Sequence, residues 1–124
     1  MVVFANRVAT ARETARLIGE KGKGDVVLLT GRMRPFDKED VVRERLSLLS
    51  SERSPERSLE KPVFVVATQT LEVGADLDFD ALVTECASLS ALRQRFGRLN
   101  RMGRDIQTKA MILVRADQLE NSEE

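Results

Sequence analysis

The apolar residues fall into five short, nearly unbroken runs: Val2-Val3-Phe4-Ala5, Val26-Val27-Leu28-Leu29, Val63-Phe64-Val65-Val66-Ala67, Ala81-Leu82-Val83-Thr84 and Ala110-Met111-Ile112-Leu113-Val114. Runs of this length without polar alternation predict strands covered on both faces. Between the first two, Val8, Ala11, Ala15 and Ile18 recur at helical spacing, with Arg7, Arg12, Arg16 and Glu20 off the stripe. Asn6 is placed to cap that helix, and Gly19, Gly22 and Gly24 end it. Asp37 is a candidate cap for a second helix through Val41, Val42, Leu46 and Leu49. Ser88 or Ser90 is a candidate cap for a third through Leu92, Phe96 and Leu99. Residues 50–62 are rich in Ser, Pro, Arg and Glu and predict an exposed loop, and the polar tail 117–124 is expected to fray.

Strand runs alternating with amphipathic helices predict one α/β domain over residues 1–124, with three layers and a mostly parallel central sheet flanked by helices. Ligands of such folds sit at the carboxyl ends of the strands. The residues to inspect are therefore Asn6-Arg7, Thr30-Gly31-Arg32, Thr68-Gln69-Thr70 and Glu85-Cys86. The chain opens almost directly on its first strand, which reads as a piece of a longer protein.

Composition changes this picture in three places. Lys+Arg and Asp+Glu are equal at 20 each, but the balance is not local. Residues 89 to 104 hold five arginines and no acid, while Glu72, Asp76, Asp78, Asp80 and Glu85 precede them. The single cysteine, Cys86, allows no internal disulfide, fits a reducing compartment and is expected to pack as a small apolar residue. The absence of histidine excludes His-dependent metal sites and Ser-His or Cys-His nucleophile pairs. No apolar run nears the roughly 20 residues of a membrane helix, and no signal peptide is recognisable.

Projected at about 100° per residue, Leu92, Phe96 and Leu99 share one side of the third helix, and Gln94, Arg98 and Arg101 fall together opposite. Charge alone makes this a solvated basic face. The grouping also suits phosphoryl transfer, where a rigid guanidinium offsets charge on the phosphoryl oxygens. Gly97, inside the expected helix, costs roughly 1 kcal/mol relative to Ala, a cost that fits a surface approaching closely there.

The order of residues adds a resemblance. Gln94-Arg95-x-Gly97-Arg98-x-x-Arg101-x-Gly103 resembles motif VI of superfamily 2 helicases. The segment Val66-Ala67-Thr68-Gln69-Thr70-Leu71-Glu72-Val73-Gly74-Ala75-Asp76-Leu77-Asp78 resembles their motif V, and Val3-Phe4-Ala5-Asn6-Arg7 their motif IV. Leu28-Leu29-Thr30-Gly31-Arg32 sits where the family has a nucleic-acid-contacting loop. Asn100 and the run Asp76-Leu77-Asp78-Phe79-Asp80 are similar to the CRISPR-associated helicase–nucleases of type I systems. DEAD-box helicases instead start motif VI with His and carry Gly at the position of Asn100.

The resemblance implies a second, C-terminal RecA-like lobe of an ATP-dependent helicase, in a prokaryotic cytoplasm. It implies that Arg98 and Arg101 are arginine fingers for the terminal phosphate of ATP, with Gln94 beside that phosphate or the attacking water. Gly74 and Asp76 would contact the nucleotide. Asn6, Arg7, Thr30, Gly31, Arg32 and Thr68 would contact a single-stranded nucleic acid, DNA by preference, through its phosphates. Arg95 would be structural, and Glu72 would pair with a motif VI arginine. ATP and Mg²⁺ would be held mainly by the first lobe, because this sequence has no Gly-x-x-x-x-Gly-Lys-[Ser/Thr] loop and no recognisable metal-binding acidic pair. The other implied partners are that first lobe and a CRISPR effector complex, without a membrane. Hydrolysis by this chain alone is expected to be negligible. Two other readings stay open: a lobe of a repair or RNA helicase, and a nucleic-acid-binding module without ATPase activity.

Overall fold

The computed structural model describes residues 1–31, 34–50, 59–68 and 77–117. Its elements run β1 (Val2–Phe4), α1 (Val8–Lys21), β2 (Asp25–Leu29), α2 (Pro35–Arg45), a short 3-10 helix (Ser47–Leu49), β3 (Val63–Ala67), β4 (Ala81–Glu85), α3 (Leu89–Phe96) and β5 (Lys109–Leu113). The strands form one sheet in the order β2-β3-β1-β4-β5, every neighbouring pair parallel. The fold class expected from the sequence is the one observed, an α/β sheet between helices.

Side chains alternate across the sheet with period two and feed two cores. Val2, Phe4, Val27, Leu29, Val65, Ala67 and Leu82 point to one face, where they join Leu46, Leu49, Leu77 and Phe79, and where Phe96 and Leu99 pack against them. Val3, Ala5 and Val66 point to the other face with Ala11 of α1, backed by Ala15 and Ile18. The stripe read from the sequence is thus the buried side of α1. Gly22 ends that helix in the left-handed conformation, φ 62°, and its N–H returns to the Gly19 carbonyl.

Several expectations are corrected. Asn6 does not cap α1: Arg7 occupies the cap position without a side-chain bond, because the Asn6 side chain is engaged elsewhere. Asp37 lies inside the first turn of α2, which begins at Pro35, and Asp37 pairs with Arg34. Ser88 is the cap of α3, its Oγ accepting the Ala91 N–H at 3.2 Å. α3 stops at Phe96 rather than running through Leu99, with Gly97 as its C-cap. Every residue of β5 is exposed, so this apolar run is an edge strand and not one covered on both faces. Cys86 is exposed, just past the end of β4. The loop expected over 50–62 has fastened ends: Ser50 bridges Leu77, and Leu59 packs on the larger core. Residues 51–58 and 118–124 lie outside the described residues.

Candidate functional site

The parallel register brings the ends of β1, β2, β3 and β4 to one edge, with Phe4 level with both Ala67 and Thr84, and Leu29 level with Ala67. The next residues, Asn6-Arg7, Thr30-Gly31, Thr68 and Glu85-Cys86, therefore line the carboxyl edge together. Thr30 and Thr68 are buried. The Gly31 N–H donates to Thr68 Oγ1 at 3.0 Å, and the Thr68 N–H donates to the Leu29 carbonyl at 3.1 Å. The hydroxyl of Thr68, having accepted one bond, keeps its own proton as a donor. Arg32, Gly74, Asp76 and Glu72 lie outside the described residues.

α1 and α3 leave β1 and β4 for opposite faces, so the crevice where the strand order reverses lies between these two neighbours. Asn6 bridges it. Its N–H donates to Glu85 Oε1 at 3.0 Å, and its Nδ2 donates to the Cys86 carbonyl at 2.9 Å. Its Oδ1 accepts from Arg95 Nη2 at 3.0 Å. Arg95 is 1% exposed. Its Nη1 donates to Thr84 Oγ1 at 2.9 Å and to the Glu85 carbonyl at 3.3 Å, and its guanidinium carbon sits 5.4 Å from the centre of the Phe4 ring. The Thr84 hydroxyl donates in turn to the Glu85 carbonyl at 2.8 Å. Burying a guanidinium is costly unless hydrogen bonds offset it, and here these acceptors serve Nη1 and Nη2 while the Phe4 ring lies beside the charge. Arg95 is structural, as its place in the segment implied, and it anchors α3 to the carboxyl edge.

Beyond Gly97 the chain turns. Phe79 and Leu99 form an isolated bridge: the Phe79 N–H donates to the Arg98 carbonyl at 2.9 Å, and the Asn100 N–H donates to the Phe79 carbonyl at 2.8 Å. This pairing draws Leu99 out of helical geometry. It corrects the helical projection, since Arg98 and Arg101 belong to the turn after α3, and only Gln94 lies on the helix. Gln94 is exposed and borders an open depression of about 550 Å³ with Leu89, Ser90 and Arg93. Gly97 adopts ordinary right-handed geometry and stands at the C-cap of α3 rather than inside the helix.

Asn100 has φ 44°. Asn is one of the few residues other than Gly to take this left-handed conformation readily. Its Oδ1 accepts the Arg104 N–H at 2.8 Å, and its Nδ2 donates to the Arg104 carbonyl at 3.0 Å. Arg104 reaches back to Asp78 Oδ2 at 3.0 Å through Nε and to Asp80 Oδ1 at 2.5 Å through Nη2. Burial works against the charge on Arg104, but its hydrogen bonds to Asp80 and Asp78 outweigh it and hold its pKa above the usual value. A raised pKa favours the protonated form in the fold, so this contribution is complete at every working pH and is lost only far into the alkaline range. Asp78 itself is fully buried, and its Oδ1 accepts the Arg101 N–H at 2.7 Å. The sequence reading missed Asp78, Asp80 and Arg104 as a unit. The available signal was the two-residue spacing of the carboxylates, together with the five arginines of residues 89–104 that have no acid among them.

The site thus has two parts. One is the row of polar residues at the carboxyl ends of the strands. An arginine-bearing turn sits at the far end of α3, beside Phe79 and so toward the amino-terminal end of β4. The sequence family described as CRISPR-associated nuclease/helicase Cas3, C-terminal, matches residues 1–104.

The chain belongs to the Cas3 family.

It corresponds to the C-terminal helicase lobe of Cas3. A Cas3 relative from Methanocaldococcus jannaschii is 31% identical over 103 residues, and one from Methanothermobacter thermautotrophicus is 34% identical over 101 residues. These matches cover 83% and 82% of this chain, which spans only 13% and 11% of the two relatives' lengths. The crystal structure of T. fusca Cas3 with ADP shares the fold, with a TM-score of 0.77 at 23% identity, over 94% of this chain and 14% of that one.

Proposed function

We propose that this lobe is the second motor half of an ATP-dependent DNA helicase or translocase acting in CRISPR interference. Arg98 and Arg101 reach the terminal phosphate of ATP held on the first lobe, with Gln94 beside it. The turn carrying both arginines is fixed at Phe79 and Asp78, and this observation carries the reading. A guanidinium preorganised in this way acts on transition-state charge without reorganising at the moment of reaction, and one arginine finger contributes about 10³–10⁵ in rate. Gly74 and Asp76 complete the nucleotide contacts, and the first lobe supplies the phosphate cradle and Mg²⁺. Bound ATP supplies the phosphoryl group whose hydrolysis drives lobe closure and opening, and alone this lobe hydrolyses ATP negligibly.

The carboxyl edge grips the phosphate backbone of a single strand through Arg7, Thr30, Gly31, Arg32 and Thr68. Asn6 uses both ends of its side chain inside the domain, so its part is to hold Arg7 in place. Arg95 then links the gripping edge to the helix that leads to the fingers, which supports coupling between nucleic acid and nucleotide.

Substituting Arg98→Ala in the full-length protein tests the reading. Nucleic-acid-stimulated ATPase is expected to fall by about 10³-fold or more, with nucleic-acid affinity within about twofold of the parent, since the affinity rests on other phosphate contacts. Unchanged ATPase contradicts it.

A further inference from the structure

The carboxylate of Asp78 is fully buried, yet it does not lie against the sheet as an isolated charge. One oxygen accepts the main-chain N–H of Arg101 at 2.7 Å, and the other accepts Nε of Arg104 at 3.0 Å. Arg104 is held a second time by Asp80, and its main chain is bracketed by both ends of the Asn100 amide. One residue on, Phe79 pairs with the main chain on both sides of Leu99. The main chains of Arg98 and Arg101 are thus pinned to consecutive residues, Phe79 and Asp78, while Leu99 between them is seated on the core.

We propose that Asp78 is a positioning residue that sets the Arg101 main chain, and with it the reach of the Arg101 guanidinium, through a clamp shared with Arg104. This rests on the reading of Arg101 as an arginine finger. A long side chain starting from a mobile turn would have to be ordered at each catalytic cycle. A charge-assisted bond from the Arg101 N–H to a buried carboxylate removes that step by fixing the main chain from which the side chain extends. The arrangement also explains why an acid is needed. A neutral acceptor suffices for the Arg101 N–H, but only a carboxylate accepts from Arg101 and Arg104 through two oxygens at once.

The test uses the full-length protein. Asp78→Asn keeps one acceptor but turns an N–H donor toward Arg104 Nε. Its kcat for ATP hydrolysis is expected to fall about 10- to 100-fold, the scale of a misplaced reacting group. KM for ATP and the dissociation constant for single-stranded DNA are expected to move less than about threefold, because neither rests on the turn. Arg104→Lys keeps the charge without the fork that spans both carboxylates, so it is expected to fall between Asp78→Asn and the parent. Combined with Arg101→Ala and read by single-turnover hydrolysis, either substitution is expected to cost nothing further, because its route to the phosphate is already gone.

An equal loss in the Arg101→Ala background overturns the proposal, as does unchanged kcat in a folded Asp78→Asn protein, or KM and DNA affinity moving as far as kcat. Should Asp78→Asn not fold, the same comparisons with Arg104→Lys decide. If Arg101→Ala alone leaves hydrolysis intact, the finger reading fails and takes this proposal with it. If Arg101→Ala collapses hydrolysis while Asp78→Asn and Arg104→Lys do not lower it, only this proposal fails.

Discussion

Arg95 Nη2 donates to Asn6 Oδ1 at 3.0 Å, joining residues 89 positions apart in the chain. That bond ties the third helix to the loop after the first strand. It sits in a cluster where Arg95 also serves Thr84 and the Glu85 carbonyl, above the ring of Phe4. Together with the bond from the Arg101 N–H to Asp78, it fastens α3 at one end and the turn beyond it at the other.

Because Arg95 is buried, its removal leaves its acceptors without their donor. Arg95→Ala is expected to destabilise the fold by about 3 kcal/mol or more. Arg95→Lys is expected to recover only part of that, since one ammonium cannot reproduce a planar fork. Asn6→Ala, which breaks two side-chain bonds nearer the surface, is expected to cost about 1–2 kcal/mol. Chemical denaturation checks the order, and an Arg95→Ala protein as stable as the parent contradicts the cluster's role.

Gly24 and Gly19 make a matched pair. A Cβ built on Gly24 lies 2.2 Å from the Pro62 carbonyl oxygen, which also accepts the Asp25 N–H at 2.9 Å. Gly24→Ala is therefore expected to cost about 1–3 kcal/mol through backbone displacement. Gly19 lies within α1 with nothing within 4 Å of its added Cβ, so Gly19→Ala is expected to stabilise by up to about 1 kcal/mol. Melting temperatures moving in opposite directions confirm the pair.

Asn100 is held at φ 44° while its side chain brackets Arg104. Asn100→Val, which suits neither the backbone nor the bracket, is expected to cost about 2 kcal/mol or more. Asn100→Gly keeps the backbone at ease and loses only the bracket, so it is expected to cost about 1 kcal/mol. Denaturation midpoints of the two variants are the check, and equal losses would remove the backbone argument.

These elements show how far the sequence carries. β3 appears at its expected bounds because five consecutive apolar residues closed by Pro62 permit little else. α1 is equally legible, since its stripe is unbroken from Val8 to Ile18 and a left-handed glycine closes it. α3 was overrun because the spacing of Leu92, Phe96 and Leu99 continues past Gly97, while the bridge that pulls Leu99 away comes from Phe79, distant in sequence. β5 carries the same composition as the covered strands yet is exposed throughout, whereas β2 at the other edge of the sheet buries Val27 and Leu29. In the site, the arginine segment was legible as a motif. The partners of Arg95 and Arg101 were not, because Asn6, Thr84 and Asp78 meet them only through tertiary contact.

Thr68 accepts the Gly31 N–H and keeps one donor at the carboxyl edge. Thr68→Val removes both and is expected to weaken single-stranded DNA binding by the full-length protein by about tenfold, as loss of one charge-assisted hydrogen bond does. Thr68→Ser is expected to stay near the parent. Fluorescence anisotropy with a labelled single strand reads the difference, and a valine variant that binds like the parent places the strand elsewhere.

The central claim is that the turn after α3 delivers guanidinium charge to ATP held on another lobe. Its most direct test is ATP hydrolysis by the full-length protein carrying Arg98→Ala, set beside Arg12→Ala on the exposed side of α1. Hydrolysis is expected to fall by about 10³-fold or more in the first and to stay at the parent rate in the second, with both proteins binding DNA normally. Equal hydrolysis by the two variants contradicts the account.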